Sequence, residues 1–298
     1  MRKNLFLSAV LLLTASAGLT NCSSSETSEL QTGVIDEAVN NIDLAPELLV
    51  QEPLWTSKDF GYLNTSSYKT EDGSAWLWHD NFGRLTTIML FVPATMNINV
   101  LYQNPSSVDQ LNGEYYQLGN DNELKLYNSI EFEGQHNDFN TSDMAYGFEY
   151  YKQYFKGVKV FGAGYSVNYY ITPQGKRLAY ANGQLLTELS VDTNPIITAN
   201  QAKRIFAARL GDLVTKDWTA ELMVREFIIK KNDEDVRDER LVWHVKGSEY
   251  PEEEAWKIVA LSSSLMASKD PLCHEAQIDA HTGRLLIEGN TLSFATGY

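Results

Sequence analysis

Hydrophobic and polar positions along the chain change period several times, and each change predicts an element. Val34, Ile35, Ala38, Val39, Ile42 and Leu44 recur at helical spacing, and Pro46 interrupts the run, so a short packed helix is expected there. From Trp55 to Glu133 the pattern turns β-like, with apolar runs at 84–92, 97–102 and 124–133 separated by Gly, Asn and Pro. Tyr165, Val167, Tyr169 and Ile171 then alternate with Ser166 and Asn168, the period of a half-buried strand. Thr172-Pro173-Gln174-Gly175 reads as a turn, a strand through Leu178 and Tyr180 follows, and Asn182-Gly183 reads as a hairpin signal, giving a three-stranded meander.

Thr198-Ala199-Asn200-Gln201 fits a capping box, in which a hydroxyl takes a free amide of the first turn and an amide side chain reaches back. Ala202, Ile205, Phe206 and Leu210 supply the apolar stripe of the helix, and Gly211 is placed to end it. Strand-like runs follow at 221–230, 241–246, 256–261, 275–278 and 284–288. The acid-rich stretch 232–240, with Glu226 just upstream, and the cluster Glu252-Glu253-Glu254 read as solvated hairpin loops. The expected fold class is therefore α+β, with antiparallel sheets each packed against a helix and preceded by a β-rich N-terminal segment.

The first residues change the setting. Arg2 and Lys3 precede an apolar run from Leu5 to Leu13, too short to span a bilayer, and small residues lead to Leu19-Thr20-Asn21-Cys22. This segment resembles the signal and lipobox of bacterial lipoproteins, which implies cleavage before Cys22, a diacylated thiol, and a serine-rich tether. Lipid-mediated attachment to the outer membrane or cell surface of a bacterial envelope follows from that resemblance. The chain has 298 residues, a length that fits two domains, and a formal charge of −15, which disfavours nucleic acid as a partner. Two cysteines are present, and with Cys22 lipidated, Cys273 has no intramolecular partner.

Candidate chemistry is sparse. His274-Glu275 begins a zincin-like signature, but Ile278 stands where the second histidine belongs. No G-x-S-x-G elbow occurs, and Gly162-Ala163-Gly164 lacks the helix and acid of a dinucleotide site. No metal, no cofactor and no catalytic residue is therefore expected. Tyr146, Phe148, Tyr150, Tyr151, Tyr154 and Phe155 crowd one strand, and Trp76 and Trp78 another; core packing and an exposed face for a protein or glycan both account for them.

Two motifs carry a family resemblance. Gln153, Tyr154, Gly157, Val158, Val160, Phe161 and Gly162, closed downstream by Gly183 and Leu185, are similar to the core of the thermolysin/fungalysin propeptide. The region 196–288, with its capped helix, Leu241-Val242-Trp243 and the turn Asp279-Ala280-His281-Thr282-Gly283, resembles the PepSY domain that follows it. On this reading the chain comprises a signal peptide (1–21), a tether with a short helix (22–51), a β-rich segment (52–140), a propeptide-like unit (141–192), a PepSY-like domain (196–290) and a tail (291–298). Such proregions assist folding of their protease and block its cleft. The resemblance thus implies a non-catalytic protein-binding module that inhibits or chaperones a thermolysin-like metalloprotease in trans, with Leu292 and Phe294 of the tail filling apolar subsites. The alternative is an envelope binding or assembly lipoprotein that uses the same fold for another ligand.

Overall fold

The computed structural model describes residues 44–90, 101–133, 145–210, 217–248 and 273–290. Its helices are α1 (Pro46–Leu49), α2 (Val108–Leu111), which runs into a π turn (Asn112–Tyr116), and α3 (Ala199–Leu210); a 3-10 turn covers Ser57–Asp59. The strands are β1 (Thr65–Lys69), β2 (Trp76–Asp80), β3 (Leu85–Met89), β4 (Asn122–Phe132), β5 (Tyr146–Phe155), β6 (Val158–Thr172), β7 (Gly175–Gln184), β8 (Asp217–Lys231), β9 (Glu234–Ser248), β10 (Cys273–Asp279) and β11 (Leu285–Asn290).

These elements overturn the expected α+β class. Strands hold 53% of the described residues and helices 15%, and the eleven strands belong to one mixed sheet. Separate helix-packed sheets are not formed, because α3 is the one α-helix longer than a turn among the described residues. The sheet is mixed because β6 and β8 pair in parallel, Lys159 opposite Met223 and Val160 opposite Val224. By contact the chain divides into two compact units, described in turn.

Unit one takes the described residues of 1–56, 196–221 and 243–298. Its helix α3 starts as the capping box requires: the Gln201 amide N–H donates to Thr198 Oγ1 (3.2 Å) and the Thr198 amide N–H to Gln201 Oε1 (2.8 Å). Ala202, Ile205 and Phe206 of α3 are buried with Trp218, Val245, Ala276, Ile278 and Leu285. Phe206 meets Trp218 edge to face at 5.8 Å. The helix expected from the apolar spacing of 34–42 lies outside the described residues; α1 is a separate turn that begins at Pro46, because proline suits a first helical position, whose N–H has no intrahelical acceptor.

Unit two takes 57–195 and 222–242. Its antiparallel order is β1-β2-β3-β7-β6-β5-β4. One face packs a core of Ile88, Tyr165, Val167, Tyr169, Leu178 and Ala181 beneath Val108 and Leu111 of α2. The β6–β7 connection is the expected Pro173-Gln174 turn, with Thr172 Oγ1 donating to Gly175 O (2.7 Å). Asn182-Gly183 is not a hairpin turn. It lies in β7, where Gly183 opposes Tyr165, and a Cβ on it would fall 2.5 Å from Tyr165 Cα; close backbone approach, not a tight turn, is why glycine stands there.

The acid-rich 232–240 stretch also differs from expectation. A two-residue turn, Asn232-Asp233, both with positive φ, closes β8 onto β9, and the following acids belong to a strand. Leu101 and Tyr102 lie outside any strand. Gly211, the glutamates 252–254 and the run 256–261 lie outside the described residues.

Candidate functional site

The propeptide-like motif residues gather at one end of the β5–β6 hairpin. Lys156 and Gly157, with φ of 48° and 80°, make its two-residue turn between paired Phe155 and Val158. Gln153 is fully buried: its Nε2 donates to Leu186 O (2.7 Å) and Asn122 Oδ1 (2.6 Å), and its Oε1 accepts the Leu186 N–H (2.8 Å). That side chain satisfies backbone a sheet ladder would otherwise leave unpaired. Val160 is buried, the Arg225 guanidinium lies 4.4 Å from the Phe161 ring centroid, and Lys125 sits 4.3 Å over the Tyr154 ring. Gly162 takes φ 70° inside β6, where a bulge lets the strand leave β5 and pair with β8. These contacts are architectural.

The second motif forms the β10–β11 turn of unit one. Buried Asp279 accepts the N–H groups of His281 (3.0 Å) and Thr282 (2.9 Å) on Oδ1, and the Gly283 N–H donates to Asp279 O (2.9 Å). Thr282 Oγ1 accepts the Arg284 N–H (3.2 Å), and Gly283, at φ 72°, needs the freedom of a residue without Cβ. Glu275, the would-be zincin base, is buried on β10 and 3.0 Å from His244 Nε2. Burial alone would raise its carboxyl, but His244 and Lys246 hold it below the ordinary range. Among the described residues no three His, Cys, Asp or Glu side chains converge as a metal ligand set. Cys22, Leu292 and Phe294 lie outside the described residues.

What the motifs do not supply is a surface, and β4 supplies one. Its first half turns Leu124 toward the core, as alternation predicts. An extra residue at Tyr127, between Leu126 opposite Tyr151 and Asn128 opposite Tyr150, then reverses the facing of everything downstream. Ser129 and Glu131 therefore point to the core side, where both interact with the Tyr169 hydroxyl, and Ile130 and Phe132 go to the outer face. They remain 41% exposed each, with Leu126 at 53% on the rim. Phe132 stacks on Tyr146 (5.0 Å) and meets Phe148 edge-on (5.9 Å), and Lys152 Nζ sits 3.2 Å over the Tyr127 ring.

This resolves one alternative left open by the sequence. Among the described residues, Tyr146 and Phe148 on the outer face of β5 pack with the exposed Phe132 of β4, whereas Tyr151 packs against the core and Phe155 is buried. Among the described strands β4 pairs with β5 alone, so its other edge carries backbone groups that no described strand takes. At the opposite end of the same face, Trp76 and Trp78 stack at 5.5 Å, with Trp76 40% exposed. Sequence alternation alone would have buried Ile130 and Phe132; the bulge that exposes them has no signal in the run Leu126-Tyr127-Asn128.

Comparison with known proteins adds little to this geometry. Neither the protein-family models nor the curated proteins include a match to the chain. Among solved structures, the chain is similar to the Bacillus megaterium YpeB C-terminal domain at 12% identity, over 77% of this chain and 90% of that one. The TM-score is 0.29, at which neither a shared fold nor a shared activity follows.

Proposed function

We propose that the chain is a non-catalytic, lipid-anchored module of the bacterial envelope that holds a partner protein on the β4–β5 edge of unit two. One observation carries the reading: an eleven-residue edge strand exposes Ile130 and Phe132 beside Tyr146 and Phe148. Proteins in solution seldom leave apolar side chains on an open sheet edge, because the edge invites another strand. An extended partner segment would add to β4 through backbone hydrogen bonds and set alternate side chains against the aromatic cluster. The resemblance to metalloprotease proregions supplies the partner class, a thermolysin-like protease, and the lipobox-like Cys22 supplies the anchor.

The test is binding and inhibition of a secreted thermolysin-like protease made without its own proregion. Ile130→Lys combined with Phe132→Ser should weaken capture by about tenfold or more with only a small fall in the unfolding midpoint, since both side chains are partly exposed and Phe132 gives up its contacts with Tyr146 and Phe148. Equal capture by this variant removes the β4 edge from the function. Deleting 291–298 should abolish inhibition more than capture if Leu292 and Phe294 enter the protease cleft. Capture of a non-protease envelope protein, lost in the same variant, would favour the alternative of an assembly lipoprotein.

A further inference from the structure

A second feature of unit two lies on the core side of its sheet: a cleft of about 700 Å³, within the range that holds small ligands. Its lining is divided by chemistry. Val108, Leu118 and Leu124 give an apolar patch beside the half-buried Tyr151 ring, and Ser106, Ser107, Asn112, Gln117 and Asn122 give neutral polar groups around it. Charge enters through Asp109, Glu123 and Lys176. Lys176 is already engaged by the Glu149 carboxylate, which also accepts the Tyr151 hydroxyl (2.7 Å), so its charge is spent within the wall. Glu123 faces Lys125 across 3.4 Å in an exposed and screened pair. Asp109 remains as an exposed carboxylate on the first turn of α2.

We infer that this cleft binds the protonated amine of a small aliphatic group, the methylenes lying on Val108, Leu118 and the Tyr151 ring and the ammonium meeting Asp109. The apolar patch and the free carboxylate of the lining answer the two parts of such a ligand. The one cation of the lining, Lys176, is engaged by Glu149 and so is not free for a carboxylate or phosphate. An aromatic ring beside a carboxylate favours a cation over a neutral alcohol of the same length. The Tyr151 hydroxyl is held well above the ordinary phenol range, first by burial, then by Glu149 and by Asp109, as expected of a wall whose field is negative. The inference stands apart from the β4 edge, which uses the other face of the sheet.

Two sources could present this chemistry, a free alkylamine or a lysine side chain of a protein, and the experiment separates them. Titrations by calorimetry or nuclear magnetic resonance would use n-pentylamine, n-pentanol, pentanoate and the peptide acetyl-Gly-Lys-Gly-amide. Saturable binding of pentylamine, absence of pentanoate binding and at least about tenfold weaker binding of pentanol are expected. Tighter binding of the lysine peptide assigns the site to a protein side chain, and exclusion of the peptide assigns it to a free amine. Asp109→Asn, on an exposed turn, should weaken amine binding by about two- to fivefold with an unchanged unfolding midpoint, whereas Lys125→Gln should leave it unchanged or stronger. Equal binding of pentanol and pentylamine, no saturation by either amine, or an Asp109→Asn protein that binds as well as the parent overturns the assignment.

Discussion

Arg84 joins two buried carboxylates of unit two. Its Nε donates to Asp80 Oδ2 (2.8 Å) and its Nη1 to Glu226 Oε1 (2.6 Å), with all three side chains at most 6% exposed. Arg237 closes the chain of charges by donating to the second Glu226 oxygen (2.6 Å) and to Glu239 (3.1 Å). Taking one cation out of a buried group leaves carboxylates without their partner, which costs about 3–5 kcal/mol. Arg84→Leu is therefore expected to lower the unfolding free energy measured in urea by that order, and a loss below about 1 kcal/mol would mean that water reaches these carboxylates. None of this was legible in the sequence. Glu226 reads there as one more acid beside a solvated loop, because its partner lies 142 residues away. Gln153 was legible as a motif letter, but not as the cross-link to Leu186, since a buried amide is defined by the backbone it meets.

At the scale of elements, legibility follows range. The start of α3 is encoded within four residues, and the structure places both hydrogen bonds of its capping box. Thr198→Ala removes the hydroxyl that takes the Gln201 N–H, so a loss of about 1 kcal/mol is expected from chemical denaturation, with Thr198→Asp close to the parent. A cap substitution without effect would show α3 held by Ile205 and Phe206 alone. The Pro173-Gln174 turn was legible for the same local reason. β4 was not, because its extra residue at Tyr127 is set by pairing with β5 and no turn residue announces it. The whole candidate surface hangs on that one residue: without the bulge, Ile130 and Phe132 would stay on the core side with Leu124 and Leu126.

Across the whole molecule, the strands were largely visible and their partners were not. Local periodicity cannot say that β3 pairs with β7, Ile88 opposite Ala181, or that β6 runs parallel to β8, and those pairings make a mostly β protein of what reads as α+β. The same pairings gather tyrosines in the core of unit two, with consequences for stability in alkali. Tyr116 stacks on Tyr165 at 5.3 Å, and Tyr151 on Tyr165 at 5.7 Å. Burial is the main reason all three phenols are raised above the ordinary value of 10.0, and the neighbouring phenols reinforce it at Tyr165. A raised folded value means that the folded chain keeps protons the unfolded chain gives up. The stabilisation is complete below pH 10.0 and declines as pH rises above it. Unfolding midpoints in urea, measured at successive alkaline pH, should therefore fall from about that point, while tyrosinate absorbance of the folded protein reports only the more exposed of the 16 tyrosines. Tyr116→Phe with Tyr165→Phe should flatten the decline, because phenylalanine has no proton to lose on unfolding. If all 16 tyrosines ionise in the folded protein near pH 10.0, or if the midpoints do not move, the buried ladder is not what limits this protein in alkali.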